Sequence, residues 1–483
     1  FPGDHDTYLQ NQSLLLNNAA ITTIHSFCLD LIRENYYLLD LDANCRVADE
    51  TESYLLKEEA LDEYLEYKYQ QNDPLFRELL LRYGGREDEK IRQIIFMLYE
   101  QAISLPDYEK WLADLGEALK DTDFWLDQAR QKAEKTLKNI DELLKKAIIS
   151  CTEDEKCQKS YLAKLLQEQA QLDTAHYKIS QSLDSFLEYL DKSEIFATAL
   201  RDNKKASDSY RAAVAYYKQA KAAFSELVDK LANAHSSQAE ADLAEIYPFV
   251  NYFGKLTLGF AEYYNIAKCK RHLLDFDDMG HLALELLYQR DGSPSTISLE
   301  LKERYQAVLI DEYQDTNDLQ EKIMLAISRE DNYFMVGDVK QSIYSFRMAN
   351  PSLFQHKYES FAASQIIDMN KNFRSRRNIV TAVNDLFNIL MPGGDENPDY
   401  QASAQMEFGA EYYEKENVPD KAVKVWRLQK PEKSSAAGNE NTENTAEDKE
   451  AKDEKKEITR EAELIAREIK KLRQSSQLIY DKN

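Results

Sequence analysis

Ala307-Val308-Leu309-Ile310-Asp311-Glu312-Tyr313-Gln314-Asp315 sets a short apolar run directly against two adjacent acids. An apolar run of this length, preceded by Arg304 and Tyr305, predicts a buried parallel strand. The carboxyl end of such a strand is where open α/β sheets bind ligands. At that position Asp311 can hold Mg2+ and Glu312 can orient a water for phosphoryl transfer. The same acids also fit a plain helix cap, so the pair alone leaves both readings open.

Three further blocks bear on the choice. Tyr333-Phe334-Met335-Val336-Gly337-Asp338-Val339-Lys340-Gln341-Ser342-Ile343-Tyr344-Ser345-Phe346-Arg347 again runs from a strand-like segment into a Gly-Asp turn, then an amide, two aromatics and a base. A third strand-like run, Ile366-Ile367-Asp368-Met369, leads into Asn370-Lys371-Asn372-Phe373-Arg374-Ser375-Arg376-Arg377. Upstream lies Ala20-Ile21-Thr22-Thr23-Ile24-His25-Ser26-Phe27-Cys28, with Thr22 or Thr23 placed to cap a helix. In this order the four blocks resemble the UvrD-type superfamily 1 DNA helicases. Within them the motifs are most similar to the AddA (RexA) helicase–nuclease subunits of bacterial recombination complexes.

The resemblance implies an α/β fold: an incomplete RecA-like P-loop NTPase motor domain, a large all-α insertion and the start of a second RecA-like domain. It implies an ATP-dependent 3′–5′ DNA helicase and exonuclease that processes double-strand ends for recombinational repair. ATP and Mg2+ would be its cofactors, single- and double-stranded DNA its substrates, and an AddB/RexB-like protein its heterodimer partner. Asp311 would then bind Mg2+ and Glu312 would act as base toward the attacking water. Gln341 would sense the γ-phosphate, Arg374 would reach it as an arginine finger, and Phe373 would stack on adenine. Thr23, His25 and Phe27 match a motif that touches the DNA strand. Tyr344 and Phe346 match the pair that stacks on bases, with Arg347 pairing to a phosphate; relatives often carry Trp where Phe346 stands. In an extended segment, residues two apart face the same way, so the two rings are expected on one side. Gln314 and Asp315 would link the Asp311 loop to the Gly337 block. Two other readings stay open: a UvrD-like or RecB-like helicase without an AddA-type nuclease, and a non-catalytic DNA-binding scaffold.

No G-x-x-x-x-G-K-[ST] loop occurs among the 483 residues; Gly254-Lys255-Leu256-Thr257 lacks the upstream glycine and the hydroxyl next to the lysine. In the resembling family that loop precedes the His25 block. The chain therefore reads as a fragment lacking the phosphate loop, the later helicase motifs and the nuclease domain, and is expected to be inactive on ATP alone.

Composition sets outer bounds. A hydrophobic fraction of 43% supports real cores, and a mean hydropathy of −0.62 marks a wet surface. No apolar run is long enough to span a bilayer and no signal-like start is present, so no membrane partner is expected. The five cysteines form no C-x-x-C, which argues against zinc and a disulfide framework and points to a reducing, cytoplasmic compartment. The net charge of −25 opposes a protein that coats DNA. A translocating enzyme needs only a narrow basic and aromatic track, because stacking supplies part of its grip.

Four segments follow from the pattern. Residues 1–48 are the first part of the motor domain, and 49–271 are a helical insertion in which Val214, Tyr217, Phe224, Leu227 and Leu231 keep three- and four-residue spacing. Residues 272–362 complete the first motor domain. Residues 363–483 are a partial second one with a disordered polar insertion at about 432–458. Asp275, three residues before Asp278, predicts a capped helix running to Leu287.

Overall fold

The computed structural model describes residues 13, 19–39, 41–42, 44–84, 88–196, 200–201, 206–231, 234–394, 397–399, 404–413, 423–424, 426 and 446–474. The chain separates into two compact units, Phe1–Ser360 and Phe361–Asn483.

In the first unit the helix α1 (Ile24–Asn35) begins where the Thr23 hydroxyl accepts the Ser26 N–H at 3.2 Å, and it buries Cys28, Leu31 and Ile32. A two-residue strand, β1 (Arg46–Val47), follows. The chain is then helical almost throughout: α2 (Glu50–Gln71), α3 (Pro74–Leu79), α4 (Glu89–Ala102), α5 (Tyr108–Ala113), α6 (Thr122–Thr152), α7 (Ala163–Gln181), α8 (Leu183–Leu190), α9 (Asp208–Leu231) and α10 (Ser236–Lys270). The five apolar residues whose spacing predicted a helix all lie buried along α9. Their core is shared with α6, α7 and α8, while α2 to α5 form a second core with the later part of α10.

The helical block is bracketed by a strand pair. β2 (Leu273–Leu274) lies parallel to β1, with Arg46 opposite Leu273 and Val47 opposite Leu274. Next comes α11 (Phe276–Leu287), opened by a reciprocal cap: the Asp278 N–H donates to Asp275 and the Asp275 N–H donates to Asp278, each at 2.8 Å. Lys268, in the last turn of α10, is buried against both acids, with its Nζ 3.3 Å from Asp275 Oδ2 and 2.5 Å from Asp278 Oδ1. Burial, reinforced by the charge of Asp275, pushes the Asp277 and Asp278 carboxyls up to about 6.

Around a third core pack α1, α11, α12 (Thr296–Arg304) and α13 (Asp318–Ile327). On it sit two parallel strands, β3 (Val308–Ile310) and β4 (Tyr333–Met335), paired Val308 to Tyr333 through Ile310 to Met335. The strand expected at 308–310 is parallel, but it is not buried on both faces. Val308 is buried, whereas Leu309 is 68% and Phe334 49% exposed. Within the described residues only one side of this sheet has helices packed on it, so alternate residues stay open. The unit closes with α14 (Ser352–Ser360).

The second unit holds a parallel pair, β5 (Lys371–Asn372) with β8 (Glu407–Phe408), the helix α15 (Arg377–Leu390) and an antiparallel pair, β6 (Pro392–Gly394) with β7 (Asn397–Asp399). Asn384 of α15 fixes Met406 by donating to its carbonyl at 2.8 Å and accepting its N–H at 3.2 Å. Two expectations change here. The run Ile366–Met369 is not a strand: pairing starts at Lys371, and Ile367 and Met369 are about three-quarters exposed. The polar stretch 432–458, expected to be disordered, lies outside the described residues up to 445, but Ala446–Gln474 forms one helix, α16. Its Glu, Lys, Ala and Arg content explains why: these are strong helix formers even where they bury no core.

Candidate functional site

The site is built at the carboxyl ends of β3 and β4. The strand ladder runs past β3, because the Val336 N–H donates to the Ile310 carbonyl and the Tyr313 N–H to the Val336 carbonyl, both at 2.9 Å. Between these bonds the chain turns sharply. Glu312 takes φ +52°, a left-handed conformation that is uncommon for a residue with a side chain and that collects at functional sites. The Glu312 N–H donates to Asp311 Oδ1 at 3.0 Å, so one Asp311 oxygen is held by the backbone. Both acids are exposed.

Gln314 ties this turn to the next loop. It is 1% exposed, and its amide works at both ends. Nε2 donates to Glu312 Oε2 at 2.7 Å, while Oε1 accepts the Asp338 N–H at 2.9 Å. The Gln314 carbonyl also accepts the Ser342 hydroxyl at 3.3 Å. Gly337 leaves room for the amide: a Cβ there would lie 2.6 Å from Gln314 Oε1. The link expected of Gln314 is thus a direct bridge. Asp315 is half-buried beside it, and burial followed by the Glu312 charge pushes its carboxyl upward.

Asp338 organises the second loop. Its carboxylate accepts Lys340 Nζ at 2.7 Å and Gln341 Nε2 at 3.0 Å. Burial favours the neutral form of Asp338, but the hydrogen bonds from Lys340 and Gln341 outweigh it and hold the carboxyl below its ordinary range. The first unit therefore brings Asp311, Glu312, Gln314, Asp338 and Gln341 onto two adjoining loops.

The aromatic pair departs from its expected backbone. Ser345–Arg347 is a 3-10 turn rather than an extended segment, and Met348 takes a left-handed φ of +58°. The two rings are neighbours all the same, with centroids 5.7 Å apart, and Phe346 is 70% exposed. The side chain of Arg347 lies outside the described residues. Of the upstream residues, Thr23 caps α1, His25 is exposed, and Phe27 turns inward against Tyr305 and the third core. Phe373 and Arg374 belong to the second unit. The Phe373 ring lies over Gly409, where a Cβ would come within 2.8 Å of it, and the Arg374 N–H donates to Asn372 Oδ1 at 3.0 Å.

Two contributors carried little sequence signal. Asn350 donates its N–H to the Thr316 carbonyl at 2.9 Å and its Nδ2 to Asp318 Oδ2 at 3.0 Å, joining the segment after the aromatics to the start of α13. Its only local cue is the Asn350-Pro351 dipeptide, a common loop signal. Lys268 shows in sequence as one more helix-end base.

Paired strand ends carrying an acid pair, a bridging amide and a Gly-Asp turn, interrupted upstream by a long helical block, define an α/β unit with a helical insertion. The chain belongs to the UvrD/REP helicase family: the family model of the UvrD/REP helicase N-terminal domain matches residues 6–362. It is similar to proteins named as the A-type component of an ATP-dependent helicase/nuclease. The one from Heliobacterium modesticaldum is 34% identical over 88% of this chain and 35% of the relative. That from Clostridium beijerinckii is 32% identical over 97% and 39%, and that from Staphylococcus carnosus is 34% identical over 85% and 35%. The chain thus spans well under half the length of these curated relatives. Among the described residues no helix is long and apolar enough to cross a membrane.

Proposed function

We propose that this chain is part of an ATP-dependent 3′–5′ DNA helicase–nuclease that opens and trims double-strand ends for recombination, working with an AddB/RexB-like partner in the cytoplasm. Its first unit would be a RecA-like motor domain with residues 49–271 as the insertion, and its second unit part of another such domain. The observation that carries this reading is the Gln314 bridge, which locks the Asp311-Glu312 turn to the Asp338-Gln341 loop at two parallel strand ends. Family membership supports it.

The donor set suits a hard cation. The groups at the strand ends are carboxylate oxygens, and Mg2+ is commonly held by one or two carboxylates together with water and substrate phosphates. Bound ATP with Mg2+ would supply the transferable phosphoryl group and neutralise its charge. Asp311 would hold the metal, and Glu312 would take the proton of the attacking water. Gln341, oriented by Asp338, would report the phosphate without adding charge. For Arg374 we assign the arginine-finger role and for Phe373 adenine stacking. Tyr344 and Phe346 would stack on unpaired bases, with Thr23, His25 and Arg347 along the strand; Phe27 is better assigned to the core.

The test pairs two measurements. The 483-residue chain should bind labelled single-stranded DNA, and Tyr344→Ala with Phe346→Ala should weaken it by tenfold or more, as loss of stacked bases implies. The natural protein that carries this chain should displace a strand from a 3′-tailed duplex with ATP. No binding by the chain and no displacement by the whole protein would sink the proposal.

A further inference from the structure

Phe276 has no part in the roles assigned so far. It is the first residue of α11 and is 47% exposed, although Met279, Gly280 and Ala283 of the same helix are buried. Its ring meets His25 edge to face, with centroids 5.9 Å apart and planes at 85°. His25 is itself exposed, at the second position of α1. Desolvation against its neighbours holds the imidazole below its ordinary pKa, so at neutral pH it carries no charge. Two helix starts therefore present two uncharged rings side by side.

The groups around this pair are acids. Asp275 and Asp278 form the cap of α11 with Lys268 buried between them, and Asp277 follows Phe276 directly. Such a rim repels a phosphate and complements the exocyclic amino groups of nucleobases, which are hydrogen-bond donors. Charge thus selects which part of a nucleic-acid strand could sit here: the base and not the backbone.

We propose that Phe276, backed edge-on by His25, is a stacking platform for an unpaired base of single-stranded DNA, additional to Tyr344 and Phe346. This rests on the DNA-binding reading above and extends it to a second aromatic position. The face of an aromatic ring accepts any base, so the platform would grip without choosing sequence.

The test is equilibrium binding of the 483-residue chain to a single-stranded oligonucleotide carrying 2-aminopurine, across a salt series. Phe276→Ala is expected to weaken binding about tenfold, the loss of one stacked base. The slope of log affinity against log salt should stay unchanged, because no phosphate contact is removed. Phe276→Trp should restore the affinity, and its indole emission should be quenched when DNA binds. That variant also serves if Phe276→Ala fails to fold, as judged by circular dichroism. Wild-type affinity in folded Phe276→Ala, a shallower salt slope, or an unquenched Phe276→Trp would overturn the platform and leave the Tyr344–Phe346 reading standing. A wild-type chain that binds no single strand would overturn both. A Phe276→Ala chain that binds DNA normally but loses a protein partner would assign this surface to that partner instead.

Discussion

Truncating Gln314 to alanine removes the one side chain that joins the two loops of the site. The structure gives the size of the effect. The Asp338 N–H, which donates to Gln314 Oε1 at 2.9 Å, loses its acceptor in a half-buried setting. A donor left unsatisfied in this way costs roughly 1–3 kcal/mol. Glu312 also loses a donor at 2.7 Å, but it is exposed and water can replace the bond, so little is added. A local loss of about 2 kcal/mol corresponds to a factor of about 30 in the opening equilibrium. Hydrogen exchange read at the Asp338 amide measures this directly, and does so without treating a two-unit chain as two-state. Gln314→Ala should therefore exchange that amide about 30-fold faster while amides in α6 and α9 stay as in the wild type. Gln314→Glu separates the two halves of the bridge. It keeps the acceptor for Asp338 but sets a carboxylate against Glu312, so the Asp338 amide should stay better protected than in Gln314→Ala while the Glu312 turn loosens. An Asp338 amide exchanging within twofold of wild type in Gln314→Ala would show that Gln314 does not hold the loops together.

Three further outcomes follow from the same contacts. Gly337→Ala drives a methyl to 2.6 Å from Gln314 Oε1, so it should speed exchange at Asp338 and cost about 1–3 kcal/mol of local stability, measured as for Gln314. Asp277→Asn removes a carboxyl whose charged form burial disfavours; its pKa is raised in the folded chain, so its destabilising effect is absent below about pH 4 and complete above about pH 6. The variant should accordingly be more stable than wild type to urea at pH 7.5, by about 1–3 kcal/mol, and indistinguishable from it near pH 4. Lys268→Met leaves Asp275 and Asp278 buried without their partner and should lower stability at pH 7 by about 3–5 kcal/mol, read by denaturant unfolding.

What the sequence made legible was chiefly local. The Val308–Ile310 strand, the Thr23 cap and the Asp275–Asp278 box rest on short-range rules, namely apolar runs and side-chain oxygens three residues from an N–H, and each is found in the structure. The Gln314 link came from family resemblance, and the structure supplies its geometry. The β1–β2 pair was not legible, because two-residue strands more than two hundred positions apart carry no periodic signal. Lys268 was missed for a related reason: only the return of α10 to α11 turns a helix-end base into a buried ion partner. The Tyr344–Phe346 spacing correctly placed two rings together but for the wrong backbone, since a 3-10 turn can also bring residues two apart into contact. Exposure of Leu309 was equally unreadable, as an apolar run does not say which of its faces another element covers.

Glu312→Gln in the natural protein that carries this chain tests the central claim most directly, because the change removes a proton acceptor and leaves shape intact. DNA-stimulated ATP hydrolysis is expected to fall by about a hundredfold or more, the range of general-base catalysis, while nucleotide and single-strand affinities stay within a few-fold of wild type. Hydrolysis at the wild-type rate would mean that the acids closing β3 are a structural turn and that any phosphoryl chemistry lies elsewhere.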